Sequence, residues 1–251
     1  MSDLLLITDA AGTLLFRCRE ATVNHSVRAA LAAAAKENKR GLVSIGNRRA
    51  YVKEVSLQGK RHLFFLDFDR LCTRFGTAAD RAAEGLFDVS AFAAQARKTV
   101  SLQVLCRLFA DGYAETLGRE GVRPHLRVPA ADIAVQVSPS AFALCLALLV
   151  RLAAGGDGNV QVHFVRECGR VTVFADGMGA SPLSAGEREV LTMLLHEVSA
   201  AAGFAPEMQT KDAACTLSLE LNPLDISLLG FKSEQLTRYK NTMLYYFSLF
   251  R

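Results

Sequence analysis

Apolar and polar positions along the chain switch between two periods, and the switches divide it into segments. Leu4–Ile7 and Thr13–Phe16 are short apolar runs on either side of Asp9-Ala10-Ala11-Gly12. Asp at the start and Gly at the end of those four residues is turn chemistry between strands. Asn24 can cap a helix that runs through the alanine block to Asn38, with Gly41 ending it. Ala50–Leu57 then alternates, with Tyr51, Val55 and Leu57 on one face and Lys53 as the exception. Gln58-Gly59-Lys60 turns the chain, and the aromatic run His62–Phe68 returns as a second strand.

The middle of the chain is more helical. Residues 77–85 are alanine-rich and read as helix or linker, and Asp88 or Ser90 could cap the next segment. From Ser101, the spacing of Leu102, Leu105, Cys106, Phe109, Tyr113 and Leu117 marks one buried helical face. HLRVP and IAVQV read as short strands. Pro139 opens a helix whose Phe142, Leu146, Leu149 and Ala153 share a face. A Gly155-Gly156-Asp157-Gly158 turn comes next, then a hairpin of VQVHFV and RVTVF across Glu167-Cys168-Gly169.

The stretch Val171–Gly179, VTVFADGMG, reads as a strand running into a glycine-punctuated turn. Ser184 and Glu187 have capping-box spacing. The helix they open carries Val190, Leu191, Leu194, Leu195, Val198, Ala201 and Ala202 on one face, with His196 on the solvent face. Gly203 ends it, and residues 207–210 and 213–221 read as two closing strands. After Pro223 the chain changes character. Ser233 can cap a helix with Leu236, Tyr239, Met243, Leu244, Phe247 and Phe250 as an apolar stripe. That helix could pack back on the domain, dock a partner or a second copy, or lie on a membrane surface.

The element order over residues 101–222, with ADGMG where an Asp-x-Gly-x-Gly nucleotide box would stand, resembles the histidine-kinase-type ATPase family. The first 70 residues, with two strands, a helix and a long antiparallel pair, resemble a shrunken PAS-type sensor domain. There ITDAAGTLLF is similar to the family's first hairpin, and FFLDFDRL to its closing strand and exit into a signalling helix. The fold class implied is α+β. A small PAS-like antiparallel sheet over 1–76 and a linker over 77–100 precede a histidine-kinase-like α/β sandwich over 101–223, with a mixed sheet and helices on one face. A helical tail covers 224–251.

The resemblance also exposes departures. It places Leu148 and Leu152 where family asparagines hold magnesium and phosphate, and leucine offers no oxygen ligand. Ala175 takes the place of the adenine-contacting aspartate. Asp176 is one residue late, and Gly177 and Gly179 match the box glycines. A one-residue slip in a strand turns the side chain to the other face. Only Ala180–Leu183 stands where a long lid would be. Residues 70–120 hold no histidine to serve as phosphoacceptor, and the single His-acidic pair is His196-Glu197.

Composition narrows the reading further. Hydrophobic residues make up 51% and charged residues 22%, so the chain can bury a core and is not a disordered segment. A net charge of +4 comes without a dense basic run, so Lys36–Arg40 and Arg48-Arg49 read as solvated loops and no nucleic-acid partner is expected. The six cysteines contain no CxxC pair, so buried free thiols in a reducing cytoplasm are expected, with no metal site. His25 reads as a first-turn residue, and His62 as an outward-facing or hydrogen-bonded structural histidine. The first twelve residues lack a basic region and do not read as a signal peptide. No apolar run reaches the roughly 18–20 residues needed to span a membrane.

Together these features predict a cytoplasmic, non-catalytic signalling or interaction protein with a vestigial box at Asp176, Gly177 and Gly179. Its partner would be another protein or a second copy, held through the linker or the C-terminal helix, with no cofactor. An ATP-binding histidine kinase or phosphotransferase of a two-component system, with displaced residues such as Asp176 and His196 and using Mg-ATP, is the alternative. A small-molecule sensor acting through the N-terminal part is the third reading.

Overall fold

The computed structural model describes residues 4–18, 21–88, 97–128, 133–167, 170–202 and the strand 215–220. The expected strand at 207–210, the caps near Ser90 and the C-terminal helix lie outside these. The described residues divide into two compact units: those up to Asp88 together with Ala185–Met193, and those from there to Ser184 together with the ones from Leu194 to Glu220.

The first unit is a five-stranded antiparallel sheet in the order β2-β1-β5-β4-β3. The strands are β1 (Leu4–Asp9), β2 (Leu14–Arg17), β3 (Gly41–Ile45), β4 (Arg48–Leu57) and β5 (Lys60–Asp67). Asp9 closes the β1–β2 turn: its Oδ1 accepts from the backbone N–H of Ala11 at 2.9 Å and of Thr13 at 2.8 Å. Helix α1 (His25–Lys36) starts where expected, with the Asn24 side chain accepting from Val27 N. It ends earlier than expected. Asn38 takes the left-handed conformation (φ 52°), and the N–H of Lys39 bonds to Ala34 O at 3.0 Å. This is a Schellman closure with asparagine in the usual glycine position, so Gly41 is free to begin β3.

The β4–β5 hairpin has the predicted turn, with Leu57 paired to Lys60. Asp67, the last residue of β5, also caps α2 (Phe68–Phe75), so the strand ends one residue before the expected Phe68. The helix expected to leave the domain here stops after two turns at Gly76, and the ring of its Phe68 stacks on Tyr51. A single 3-10 turn (Gly76–Ala78) leads to α3 (Ala79–Gly85). Lys53, the odd residue in its strand, donates through Nζ to the carbonyls of Glu84 and Leu86, and Tyr51 donates through its hydroxyl to Glu84. A lysine on the apolar face thus satisfies carbonyls that the end of α3 leaves open.

The second unit holds β6 (Lys98–Ser101), α4 (Leu102–Arg119), β7 (Arg123–Arg127), β8 (Ala134–Val137), α5 (Pro139–Ala153), β9 (Asn159–Glu167), β10 (Arg170–Gly177), β11 (Cys215–Glu220) and the second half of α6 (Ala185–Ala202). The residues of α6 fall in both units. Four strands form a mixed sheet, β11-β10-β9-β7, with β7 parallel to β9 and the other pairs antiparallel. β6 and β8 form a separate antiparallel pair. Helix α5 packs on α4 and on the sheet. Every residue of α5 except Arg151 is buried, as its nearly continuous apolar sequence demands. Arg151 reaches Glu120 at 3.7 Å, both side chains being largely covered.

Among the described residues, no helix is long and apolar enough to cross a membrane.

Candidate functional site

The second-unit sheet is built by alternation. Val171, Val173 and Ala175 of β10 are buried toward α5, and Thr172, Phe174 and Asp176 lie on the opposite, more open face. The strand does not stop at Phe174 as the sequence suggests. It continues through Gly177, because β9 offers partners that far: Ala175 pairs with Val162, Asp176 with Gln161 and Gly177 with Val160. The turn therefore begins at Met178.

This register decides where the box residues go. Ala175 is 0% exposed and faces the helix layer. Asp176, one position on, faces away from it. There its Oδ2 lies 3.7 Å from His163 Nδ1, with both side chains about half exposed. The His163 ring stacks on Phe174, with centroids 5.1 Å apart and planes 9° from parallel. Sequence reasoning missed His163. The signal was present: hairpin pairing across residues 167–170 puts His163 opposite Phe174 and diagonal to Asp176.

The two glycines serve the backbone. A Cβ on Gly177 would lie 2.0 Å from Ala153 O and 2.9 Å from Gly155 N. One on Gly155 would lie 1.7 Å from Met178 O. The last turn of α5 and the end of β10 therefore touch main chain to main chain, which only glycine allows. Gly179 has φ +85°, and its missing Cβ would sit at ordinary distance, 3.4 Å from Gly156 N. In the Gly155–Gly158 turn, Gly158 donates to Gly155 O at 3.1 Å, and Asp157 accepts from Asn159 N at 3.1 Å and Nδ2 at 3.2 Å. The Asp157 carboxylate is used by its own turn.

Electrostatics point the same way. The helix end beside Gly177 is the C-terminus of α5, whose carbonyls carry partial negative charge and disfavour a phosphate. Leu148 and Leu152 of this helix are each 1% exposed. Ser140 is the only hydroxyl residue on that helix, and it is buried. Among the described residues, no group of three or more His, Cys, Asp or Glu side chains could hold a metal ion.

The remaining candidates are placed as follows. His196 is half-buried on α6 rather than solvent-facing. His25 is the exposed first residue of α1. His62 is 2% exposed, its Nδ1 3.0 Å from Lys60 O, and burial pulls its pKa below the usual histidine value. It is thus a hydrogen-bonded structural residue. Cys106 and Cys145 are buried thiols, each pushed up to about 12 by burial.

No protein-family model and no curated protein matches the chain. Among solved structures, the chain is similar to the histidine kinase AdeS of Acinetobacter baumannii (9% identity, TM-score 0.42), covering 58% of this chain and 78% of that one. It is also similar to a histidine kinase of Burkholderia phymatum (17% identity, TM-score 0.38, 61% and 84% covered). A third likeness is to the histidine kinase ThkA in complex with the response regulator TrrA (10% identity, TM-score 0.35, 88% and 96% covered). At these scores the likenesses carry no argument about the site.

Proposed function

We propose that this chain is a non-catalytic signalling or interaction protein, built on a histidine-kinase-like ATPase fold that has lost its nucleotide-binding residues. One observation carries the reading: the only carboxylate of the box, Asp176, lies on the face of β10 opposite to the buried Ala175, and pairs with His163. An aspartate that recognised adenine from the helix layer would have to occupy position 175. The contact of Gly177 with Ala153 and the apolar character of α5 support the same reading. The first unit's order, two strands, a helix and a closing antiparallel run in one sheet, supports a PAS-like role for it. The chain would then act by holding a protein partner or a second copy.

Calorimetric titration of the full chain with Mg-ATP and ADP tests this. The expected result is no saturable heat at millimolar nucleotide. Saturable binding that is lost in Asp176→Ala would instead favour an ATP-binding kinase or phosphotransferase with displaced residues.

A further inference from the structure

The first unit contains a cavity of about 420 Å³ lined by Asn38, Arg40, Glu54 and Arg61, within the size range of small-molecule sites. Strand register puts two of these residues side by side. Glu54 of β4 pairs with Leu63 of β5, and Ser56 with Arg61, so Glu54 and Arg61 are diagonal neighbours on one face of the hairpin. The left-handed Asn38 turns the chain out of α1, and Arg40 stands just before β3. All four lining residues are polar or charged, so the cavity has no wall for a hydrocarbon.

Its donors outnumber its acceptors. Arg40 Nη2 at 3.0 Å and Arg61 Nε at 2.8 Å both donate to one oxygen, Glu54 Oε2. Among the described residues, each guanidinium makes only that bond, and a guanidinium has five N–H donors. Arg61 Nη2 is buried without an acceptor among the described residues, a state that folded chains seldom leave unrelieved. The Asn38 side chain is exposed, and among the described residues its amide makes no bond. Burial alone would raise the Glu54 pKa, but the bonds from the two guanidinium groups hold it below the usual carboxylate value. Two cations therefore face one carboxylate at neutral pH. Lys39, between Asn38 and Arg40, is paired with Glu37 at 2.9 Å and leaves that balance unchanged.

The balance selects a phosphate. A phosphate monoester carries about −1.5 to −2 charges at pH 7 and three acceptor oxygens. It can accept from both guanidinium forks and the Asn38 amide together. A carboxylate brings one charge and two oxygens, and Glu54 already does that work. Glu54 Oε1 accepts nothing from the described residues and can take a hydroxyl of the same ligand. The cavity is larger than a phosphate alone needs, and its polar walls fit a hydroxylated body.

We propose that this cavity binds a small phosphorylated polyol, its phosphate held by Arg40, Arg61 and the Asn38 amide, and a hydroxyl donated to Glu54. The proposal concerns the first unit and does not rest on the reading of the second.

Titration calorimetry on the full chain at constant ionic strength tests it, with glucose 6-phosphate as the probe. Glucose, inorganic phosphate and sodium acetate are the comparisons. The expected result is saturable binding of glucose 6-phosphate, weaker binding of inorganic phosphate, and none of glucose or acetate. Arg40→Ala removes a largely exposed side chain (69%) and should fold. It should weaken the phosphate compound about tenfold or more, since a hydrogen bond to a charged group is worth that much. Arg61→Lys keeps a cation for Glu54 but loses the fork, and should weaken it about tenfold. If Arg61→Lys does not fold, Arg40→Ala carries the test. Arg49→Ala, which removes an exposed cation paired with Asp69 outside the cavity lining, should leave affinity unchanged. The proposal is overturned if glucose 6-phosphate does not bind at millimolar concentration, or if inorganic phosphate or acetate binds as tightly. It is equally overturned if Arg40→Ala leaves affinity unchanged, or if Arg49→Ala weakens it as much. A nucleotide signal arising at this cavity would be lost in Arg40→Ala and kept in Asp176→Ala, which separates it from one arising at the box.

Discussion

The carbonyl oxygen of Ala153 fills the space where a side chain on Gly177 would begin, 2.0 Å from the missing Cβ. Neither partner can yield easily, since one is the last turn of a helix buried at every residue but Arg151 and the other the end of an inner strand. Gly177→Ala is therefore expected to destabilise the protein by about 1–3 kcal/mol, as over-packing does. Gly179→Ala should cost roughly 1–2 kcal/mol, from its positive φ rather than from a clash. Asp176→Ala removes a half-exposed pair and should cost less than about 1 kcal/mol. Urea unfolding of the three variants checks this order. If Gly177→Ala left the midpoint unchanged, the glycine would be serving something other than this contact.

Placing an aspartate at position 175 should fail for a related reason. Ala175→Asp puts a carboxylate at a position that is 0% exposed, between Val162 of β9 and Cys215 of β11. A buried, unpaired charge is strongly unfavourable, so this variant should be destabilised by more than about 3 kcal/mol and should acquire no nucleotide binding. Thermal unfolding and a Mg-ATP titration measure the two halves. A stable variant that bound ATP would mean the rest of the site is intact.

How much of this could be read from the sequence varied with how local the cause was. The Asn24 cap, the Gln58–Lys60 hairpin and the α5 block follow from residues a few positions apart, and they stand as read. Strand β3 was not legible. It pairs only with β4 at the edge of its sheet, and it exposes Leu42 (53%) while burying Ile45. The polarity of Leu-Val-Ser-Ile thus gives no clean alternation. The end of α1 was misplaced because Asn38 does the work usually left to glycine. At the box, the sequence carried the slip from Ala175 to Asp176 but not its consequence. That depended on β9 extending far enough to hold Gly177 in the strand, and on a helix end three-dimensionally adjacent to it.

His62 predicts a loss of stability in acid. It is buried on β5, bonded to Lys60 O, with Glu189 and Asp9 nearby and burial lowering its pKa. A histidine whose folded pKa lies below its unfolded value contributes stability that is fully present above the unfolded pKa, about 6.5, and lost as pH falls through the folded one. Other groups also titrate below neutrality, so the comparison is with His62→Gln, which carries no titrating ring. Between about pH 7.5 and pH 5, the variant should lose less stability to urea than the wild type. Equal losses would mean that the ring protonates as readily in the folded chain as in the unfolded one.

The alkaline side has a counterpart in Cys145. Its Sγ lies 3.5 Å from Ser199 Oγ, inside a helix that is buried on nearly every side, and burial pushes the thiol up to about 12. Here the folded pKa is raised, so the neutral thiol's contribution is fully present below the unfolded value of about 8.5 and is lost as pH rises toward 12. In that window each such thiol steepens the fall of stability by about 1.4 kcal/mol per pH unit. Cys106, also pushed up to about 12, and Tyr113, raised further, act in the same direction and keep the slope from vanishing in any single variant. Cys145→Ala introduces a cavity whose cost does not depend on pH. Its urea midpoints should therefore start lower than those of the wild type at pH 8 and converge on them by pH 11. The same burial should protect Cys145 from alkylation at pH 8 in the folded chain and expose it on unfolding. Rapid labelling of native Cys145, or parallel pH curves for the two proteins, would show that the thiol is not held neutral by the core.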